Sequence, residues 1–262
     1  MENHINHECD LFLMSSHAVY HTNNALYNFA KFGKRNIHGW GIGYYIDSKS
    51  HIIKSSESIY NTKTNNLNNE FSEAMKEITS TIILGHLRLA PRGVVKKENN
   101  HPFSLNYLNY EWLLIHNGTS HNIDKFGSPA EYLLNDSTTD SARVFEFIRK
   151  NIITYYAGDP KHSLVEACKT AYSKLLKTDP LGTYNIILSN GYISFVFIHW
   201  RKFYMLNREK DAGNALLIST IKLTDNEEWI EIQNFENNQK AKLMVFNGST
   251  LIFNGTINIA SS

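Results

Sequence analysis

Short apolar runs, each closed by turn residues, recur along most of this chain and predict strands. They fall at residues 10–14, 40–46, 81–87, 112–116, 184–188, 193–200, 203–206, 215–220, 241–246 and 250–253. Two joins are explicit: Asn190-Gly191 and Asn247-Gly248 each sit between two runs, and Asn-Gly supplies the positive φ angles of a tight hairpin. The last third therefore predicts an antiparallel meander. Three stretches, 69–79, 141–153 and 163–176, place apolar residues at helical spacing, and the second follows the N-cap cluster Ser137-Thr138-Thr139-Asp140. Strands, then helices, then strands predict an α+β protein whose antiparallel sheets are covered by helices. No internal repeat or long linker interrupts the pattern, so residues 9–262 are expected to form a single domain behind a polar leader, residues 1–8.

Composition adds limits. With 262 residues, 42% hydrophobic and 19% charged, the chain has ample material for a packed core. A net charge of +1, with no basic run beyond Lys96-Lys97, gives no reason to expect nucleic acid, an anionic membrane or an acidic partner. No apolar stretch approaches the roughly 18 residues of a membrane span, and the first residues lack the charged start and apolar centre of a signal peptide. A cytoplasmic protein is the expectation. Its two cysteines make no disulfide framework. Cys168 lies within a helical pattern and reads as a small buried hydrophobe. Cys9 heads the first apolar run directly behind the polar leader, an unusual place for a structural cysteine.

Three segments break the apolar pattern with polar residues at element ends. Arg88 alternates with Leu87 and Leu89 before a proline and glycine; it is either a surface arginine in a salt bridge or a bidentate carboxylate binder. Asn117-Gly118 follows the run 112–116; the pair is either a turn or two donors, a side-chain amide and a backbone N–H, aimed at an oxyanion. Asp140 is either a helix cap or a partner for a substrate ammonium.

Taken together, the segments resemble the class II glutamine amidotransferases of the N-terminal-nucleophile (Ntn) hydrolase superfamily, and most closely the small branch without a synthase domain. In order these are CDLF (9–12), HGWGIG (38–43), HLR (86–88), Arg92-Gly93, NHPF (100–103), HNG (116–118), TDS (139–141), NIILSNG (185–191) and LTDNEEW (223–229). The resemblance implies a four-layer α/β/β/α sandwich of two antiparallel sheets. It implies Cys9 as nucleophile toward the γ-amide of glutamine or of a γ-glutamyl compound, with its own free α-amine as base; an unperturbed α-amine, of pKa about 8, suits that task. Asn117 and Gly118 would form the oxyanion hole, Arg88 would hold the substrate carboxylate and Asp140 its ammonium. No metal or cofactor is implied. With no synthase domain in this chain, either a separate synthase or partner subunit receives the ammonia, or the reaction is plain hydrolysis.

The chain departs from the family at three points. Eight residues precede Cys9, whose nitrogen inside a peptide bond is no base; the leader is expected to be removed autocatalytically or by another protease, or else to reflect a misassigned start site or mark a lineage that has lost activity. Ala142 stands where the family has glutamate, and His38 where the related branch has aspartate, near the expected position of the nucleophile's amine. His86, His101 and His116 are expected to hold loops by hydrogen bonds. A rival metal site would use His4, His7 and Cys9 with His17 or His21, at spacings that fit no standard zinc module. The other reading of the whole is an inactive family member that binds glutamine or a protein partner; retention of Cys9, Arg88, Asn117, Gly118 and Asp140 speaks against it. A papain-like protease lacks support, because no histidine segment has that family's context.

Overall fold

A computed structural model describes residues 8–61, 63–90, 94–158, 163–208, 214–232 and 240–258. In chain order the strands are β1 (Asp10–His21), β2 (Trp40–Ile46), β3 (Lys49–Ser55), β4 (Tyr60–Asn61), β5 (Asn66–Leu67), β6 (Thr79–Leu87), β7 (Phe103–Tyr107) and β8 (Tyr110–Thr119). They continue with β9 (Thr183–Ser189), β10 (Ile193–Ile198), β11 (Phe203–Arg208), β12 (Ala215–Ser219), β13 (Ile230–Ile232), β14 (Lys240–Asn247) and β15 (Thr250–Asn258). Four α-helices are described: α1 (Asn23–Lys31), α2 (Asn69–Glu77), α3 (Asp140–Gly158) and α4 (Leu164–Thr178).

Two large antiparallel sheets dominate. One has seven strands in the order β13-β11-β12-β1-β6-β2-β3, the other six in the order β15-β14-β10-β9-β8-β7. Side-chain alternation along the central strands explains how they stack. On β1, Leu11 and Leu13 pack with Leu113, Ile115 and Ile187 of the second sheet, while Phe12 and Met14 face Leu26 and Phe29 of α1. On β8, Leu113 and Ile115 point to that shared layer, whereas Trp112 and Leu114 join Phe145 and Ile148 of α3 and Tyr172 of α4. The result is four layers: α1 and α2, seven strands, six strands, then α3 and α4. This is the α+β sandwich expected from the sequence.

Several elements differ from expectation. The last third is not one meander. Strands β9, β10, β14 and β15 belong to the six-stranded sheet, and β11 to β13 to the other, so the chain changes sheets at the corner 199–202. Strand β1 runs on to His21 through a register shift between Ser15 and Tyr20, and residues 17–21 are largely exposed. Helix α1 and strands β3 and β7 also escaped the pattern. Edge strand β3, KSHIIKS, is largely half-exposed and carries few apolar residues.

Candidate active site

Central position is what defines Cys9: it lies immediately before β1, which pairs with β12 on one side and β6 on the other. The next residue, Asp10, is fully buried. A buried carboxylate must be paired and hydrogen-bonded, and Asp10 accepts from Asn36 Nδ2 at 2.9 Å, Thr220 Oγ1 at 3.1 Å and Arg201 Nη2 at 3.4 Å. The start of the strand is thereby fixed one residue from the thiol.

Sγ of Cys9 lies between the two backbone groups of Leu89. It accepts from the Leu89 N–H at 3.2 Å and donates to the Leu89 carbonyl at 3.3 Å. Burial pushes the thiol up to about 12, against the opposing pull of the Leu89 N–H. With Cys9 in peptide linkage to Glu8 this is therefore a protonated, weakly nucleophilic thiol. The segment around Leu89 is itself held. Arg88 N–H donates to the Gly39 carbonyl at 2.9 Å, His38 N–H to the Arg88 carbonyl at 3.1 Å, and Ala90 N–H to His38 Nδ1 at 3.0 Å. His38 thus acts on the Leu89 segment through its ring.

The polar residues singled out in the sequence arrive from three other elements. Asn117, near the end of β8, donates its side-chain amide to the Cys9 carbonyl, and its Oδ1 has no partner among the described residues. Gly118 follows with φ +148°, and a Cβ there would collide with the Thr183 carbonyl and the His116 ring; only glycine fits. Arg88 is 5% exposed; one guanidinium nitrogen, Nη2, donates to the Val94 carbonyl at 3.3 Å, while Nη1 has no partner among the described residues. Asp140 is the first residue of α3, and its carboxylate accepts from Ser120 N–H at 2.8 Å and Ser141 N–H at 2.9 Å. A cavity of about 730 Å³ brings Glu8, Cys9, Arg88, Gly118 and Asp140 together in its lining. Asn117 stands behind this lining, against the main chain of Cys9.

The three histidines divide. His116 serves as expected: its Nδ1 pairs with Ser141 Oγ at 2.9 Å and its Nε2 with the Thr183 carbonyl at 3.3 Å. His86 and His101 do not. Their ring centroids lie 4.3 Å apart with the planes tilted by 46°, and no ring nitrogen of either has a hydrogen-bond partner among the described residues. Burial, and then the neighbouring Arg88 charge, lowers His86 to about 3, so both imidazoles line the cavity as neutral rings. Ala142 has a packing reason: it is fully buried in the core between α3 and the second sheet.

Other residues at the site carried no motif. Fully buried Asp179 accepts from Ser120 Oγ at 2.8 Å, Tyr184 OH at 2.6 Å and His121 N–H at 2.8 Å. It fixes the turn whose Ser120 N–H orients Asp140. Trp200 Nε1 donates to Glu8 Oε1 at 3.1 Å, and Arg201 Nη1 to the Cys9 carbonyl at 3.0 Å. Only the register of the folded sheets reveals such partners, because about 190 residues separate them. Of the expected segments, residues 1–7, with His4 and His7, and Arg92-Gly93 lie outside the described residues. His17 and His21 bond instead to Thr250 Oγ1 and the Lys76 carbonyl, each at 2.9 Å. Among the described residues no three histidine, cysteine, aspartate or glutamate side chains gather as a metal site would require.

The profile of the glutamine amidotransferases class-II family matches residues 8–215. A Haemophilus influenzae protein with a provisional glutamine amidotransferase name is 24% identical over 206 residues, covering 69% of this chain and 68% of that one. Among solved structures, the glutamine phosphoribosylpyrophosphate amidotransferase of B. subtilis superposes with a TM-score of 0.65 at 16% identity. The match covers 97% of this chain but only 50% of that enzyme. A Pseudomonas aeruginosa protein, also provisionally described as a glutamine amidotransferase, gives a TM-score of 0.58 at 17% identity over 95% of this chain and 96% of its own. The fold is thus shared with amidotransferases, and the chain belongs to the class-II glutamine amidotransferases.

Proposed function

We propose that this chain hydrolyses the γ-amide of glutamine or of a γ-glutamyl compound through a Cys9 thioester, once cleavage of the Glu8–Cys9 bond makes Cys9 the N-terminal residue. One observation carries the reading: the Cys9 thiol opens on the same cavity as the unpartnered Nη1 of Arg88 and the carboxylate of Asp140. Cation and anion suit the two charged ends of an α-amino acid, with the thiol left for its side chain.

Cleavage supplies what the uncut chain lacks, a free α-amine beside the thiol. That amine takes the thiol proton while Sγ attacks the amide carbon. The oxyanion is met by the Gly118 N–H and by the Asn117 amide, whose NH₂ keeps a second hydrogen after donating to the Cys9 carbonyl. The C–N bond breaks, the leaving amine takes the proton back from the α-ammonium, and water hydrolyses the thioester to glutamate and free thiol. Ammonia so released goes to solvent or to a separate synthase subunit.

A second reading is an inactive chain that keeps the pocket for binding. It is favoured by Glu8, which lines the cavity and whose side chain accepts from Trp200. Mass and N-terminal sequence of the protein from its native host separate the two: a chain beginning at Cys9 supports the enzyme, and one retaining residues 1–8 supports the binding protein. A chain engineered to begin Met-Cys9 is expected to release glutamate from glutamine or a γ-glutamyl amide after methionine removal, and Cys9→Ala to abolish it. No turnover across a panel of γ-glutamyl compounds would overturn the reading.

A further inference from the structure

We propose that Arg201 is a positioning residue for the nucleophile, gripping the Cys9 carbonyl so that the thiol and the Asn117 amide keep their mutual alignment. The inference rests on Cys9 being the nucleophile and adds a residue that no motif marks. Arg201 Nη1 donates to the Cys9 carbonyl at 3.0 Å, while Nη2 pairs with Asp10 Oδ1 at 3.4 Å. A rim ion pair is ordinarily worth little, but Asp10 is fully buried and already held by Asn36 and Thr220. The guanidinium therefore docks on a fixed anion.

The corner that presents Arg201 is equally fixed. Asn185, fully buried on β9, accepts from His199 N–H at 3.1 Å and Trp200 N–H at 3.0 Å, and donates to the Arg201 carbonyl at 3.0 Å. Asn185 is also the cross-strand partner of Asn117. Two neighbouring asparagines thus converge on one carbonyl, Asn117 by direct contact and Asn185 through the corner that carries Arg201. Both lone pairs of that carbonyl are engaged. One hydrogen of the Asn117 amide is committed to it, so a fixed Cys9 carbonyl sets where the second hydrogen points. Lysine at 201 would bring a point charge in place of a planar fork, and could not serve the carbonyl and Asp10 with the same geometry.

The test compares Arg201→Ala and Arg201→Lys with the parent chain. In chains processed to Cys9, kcat for glutamate release is expected to fall about 100-fold in Arg201→Ala, as for a displaced catalytic group, with KM little changed. Methylguanidinium should restore part of kcat in Arg201→Ala alone, and Arg201→Lys should fall between. In full-length chains Cys9 should react several-fold faster with iodoacetamide in Arg201→Ala. An unchanged kcat overturns the proposal. So does a parallel loss of kcat and thermal midpoint with no response to methylguanidinium. If Arg201→Ala does not fold, the same measurements on Arg201→Lys decide. If the parent itself releases no glutamate, the Cys9 reading fails, and an unchanged iodoacetamide rate then overturns the Arg201 contact separately.

Discussion

His86 shows how one side chain at the cavity shapes the whole protein's response to acid. Its folded pKa, about 3, lies below the ordinary value of 6.5, with burial the main cause. Between those values the unfolded chain binds a proton that the folded chain refuses, so stability falls as pH drops through the window. The full effect is on the order of 5 kcal/mol for this residue. We expect His86→Gln to flatten the pH dependence of stability between pH 6.5 and 3, measured by urea unfolding, whatever its effect at neutral pH. An unchanged slope would place the titration elsewhere, for instance on His101, which burial also holds well below its usual range. At this scale the sequence was informative where a polar residue broke an apolar run. Arg88, Gly118 and Asp140 all reach the cavity. Asp179 and Arg201 could not be read, because each is a polar residue beside an ordinary turn, and what makes it matter is a distant partner; Asn185 heads the segment NIILSNG, but its hold on the corner 199–201 emerges only from the fold. Asn117 was noticed for its amide, yet its contact with the Cys9 carbonyl emerges only from the fold.

Among elements, β3 illustrates a strand acting on a neighbouring loop. Its Lys54 donates to the Asn100 carbonyl at 3.0 Å and lies 3.5 Å from the Pro102 carbonyl, pinning the segment that carries His101. Burial lowers Lys54 to about 8, with Glu98 pulling the other way. Because the folded value lies below the unfolded one, the folded chain binds fewer protons between pH 8 and 10.5. The burial cost is complete below pH 8 and is relieved as pH rises through that window, by at most about 3 kcal/mol. The stability of the parent chain relative to Lys54→Met should therefore increase from pH 8 to 10.5 in paired denaturation curves; a constant difference would contradict the assignment. Strands legible in advance were those buried on both faces, such as β1 and β8, because a continuous apolar run is hard to mistake. Strand β3 was missed because one face meets water.

For the whole molecule, the fold class was readable because ordered segments along the chain agreed with its alternation of strands and helices. The exchange of strands between sheets was not, since β9 to β12 look alike as apolar runs. The fate of residues 1–8 can be followed at this scale. Trp40 and Trp112 are fully buried and Trp229 nearly so, while Trp200 is 39% exposed and bonded to Glu8. Loss of residues 1–8 should change tryptophan emission, and Trp200→Phe should remove most of that change; an equal change in Trp200→Phe would mean that cleavage disturbs the interior instead.

Strand β1 also carries a consequence for timing during synthesis. Its neighbours β6 and β12 lie on either side of it, and the contacts between Leu11 and Thr220 and between Ser219 and the Leu11 carbonyl join residues more than 200 positions apart. Arg201, which holds the Cys9 carbonyl, comes late as well. On the ribosome, β1 must wait, half-paired, until residues 215–220 have emerged, and such distant pairings form slowly. A cleavage at Glu8–Cys9 that depended on the assembled site would be postponed with it. The nascent chain would then carry a capped cysteine through the period when its surroundings are least ordered.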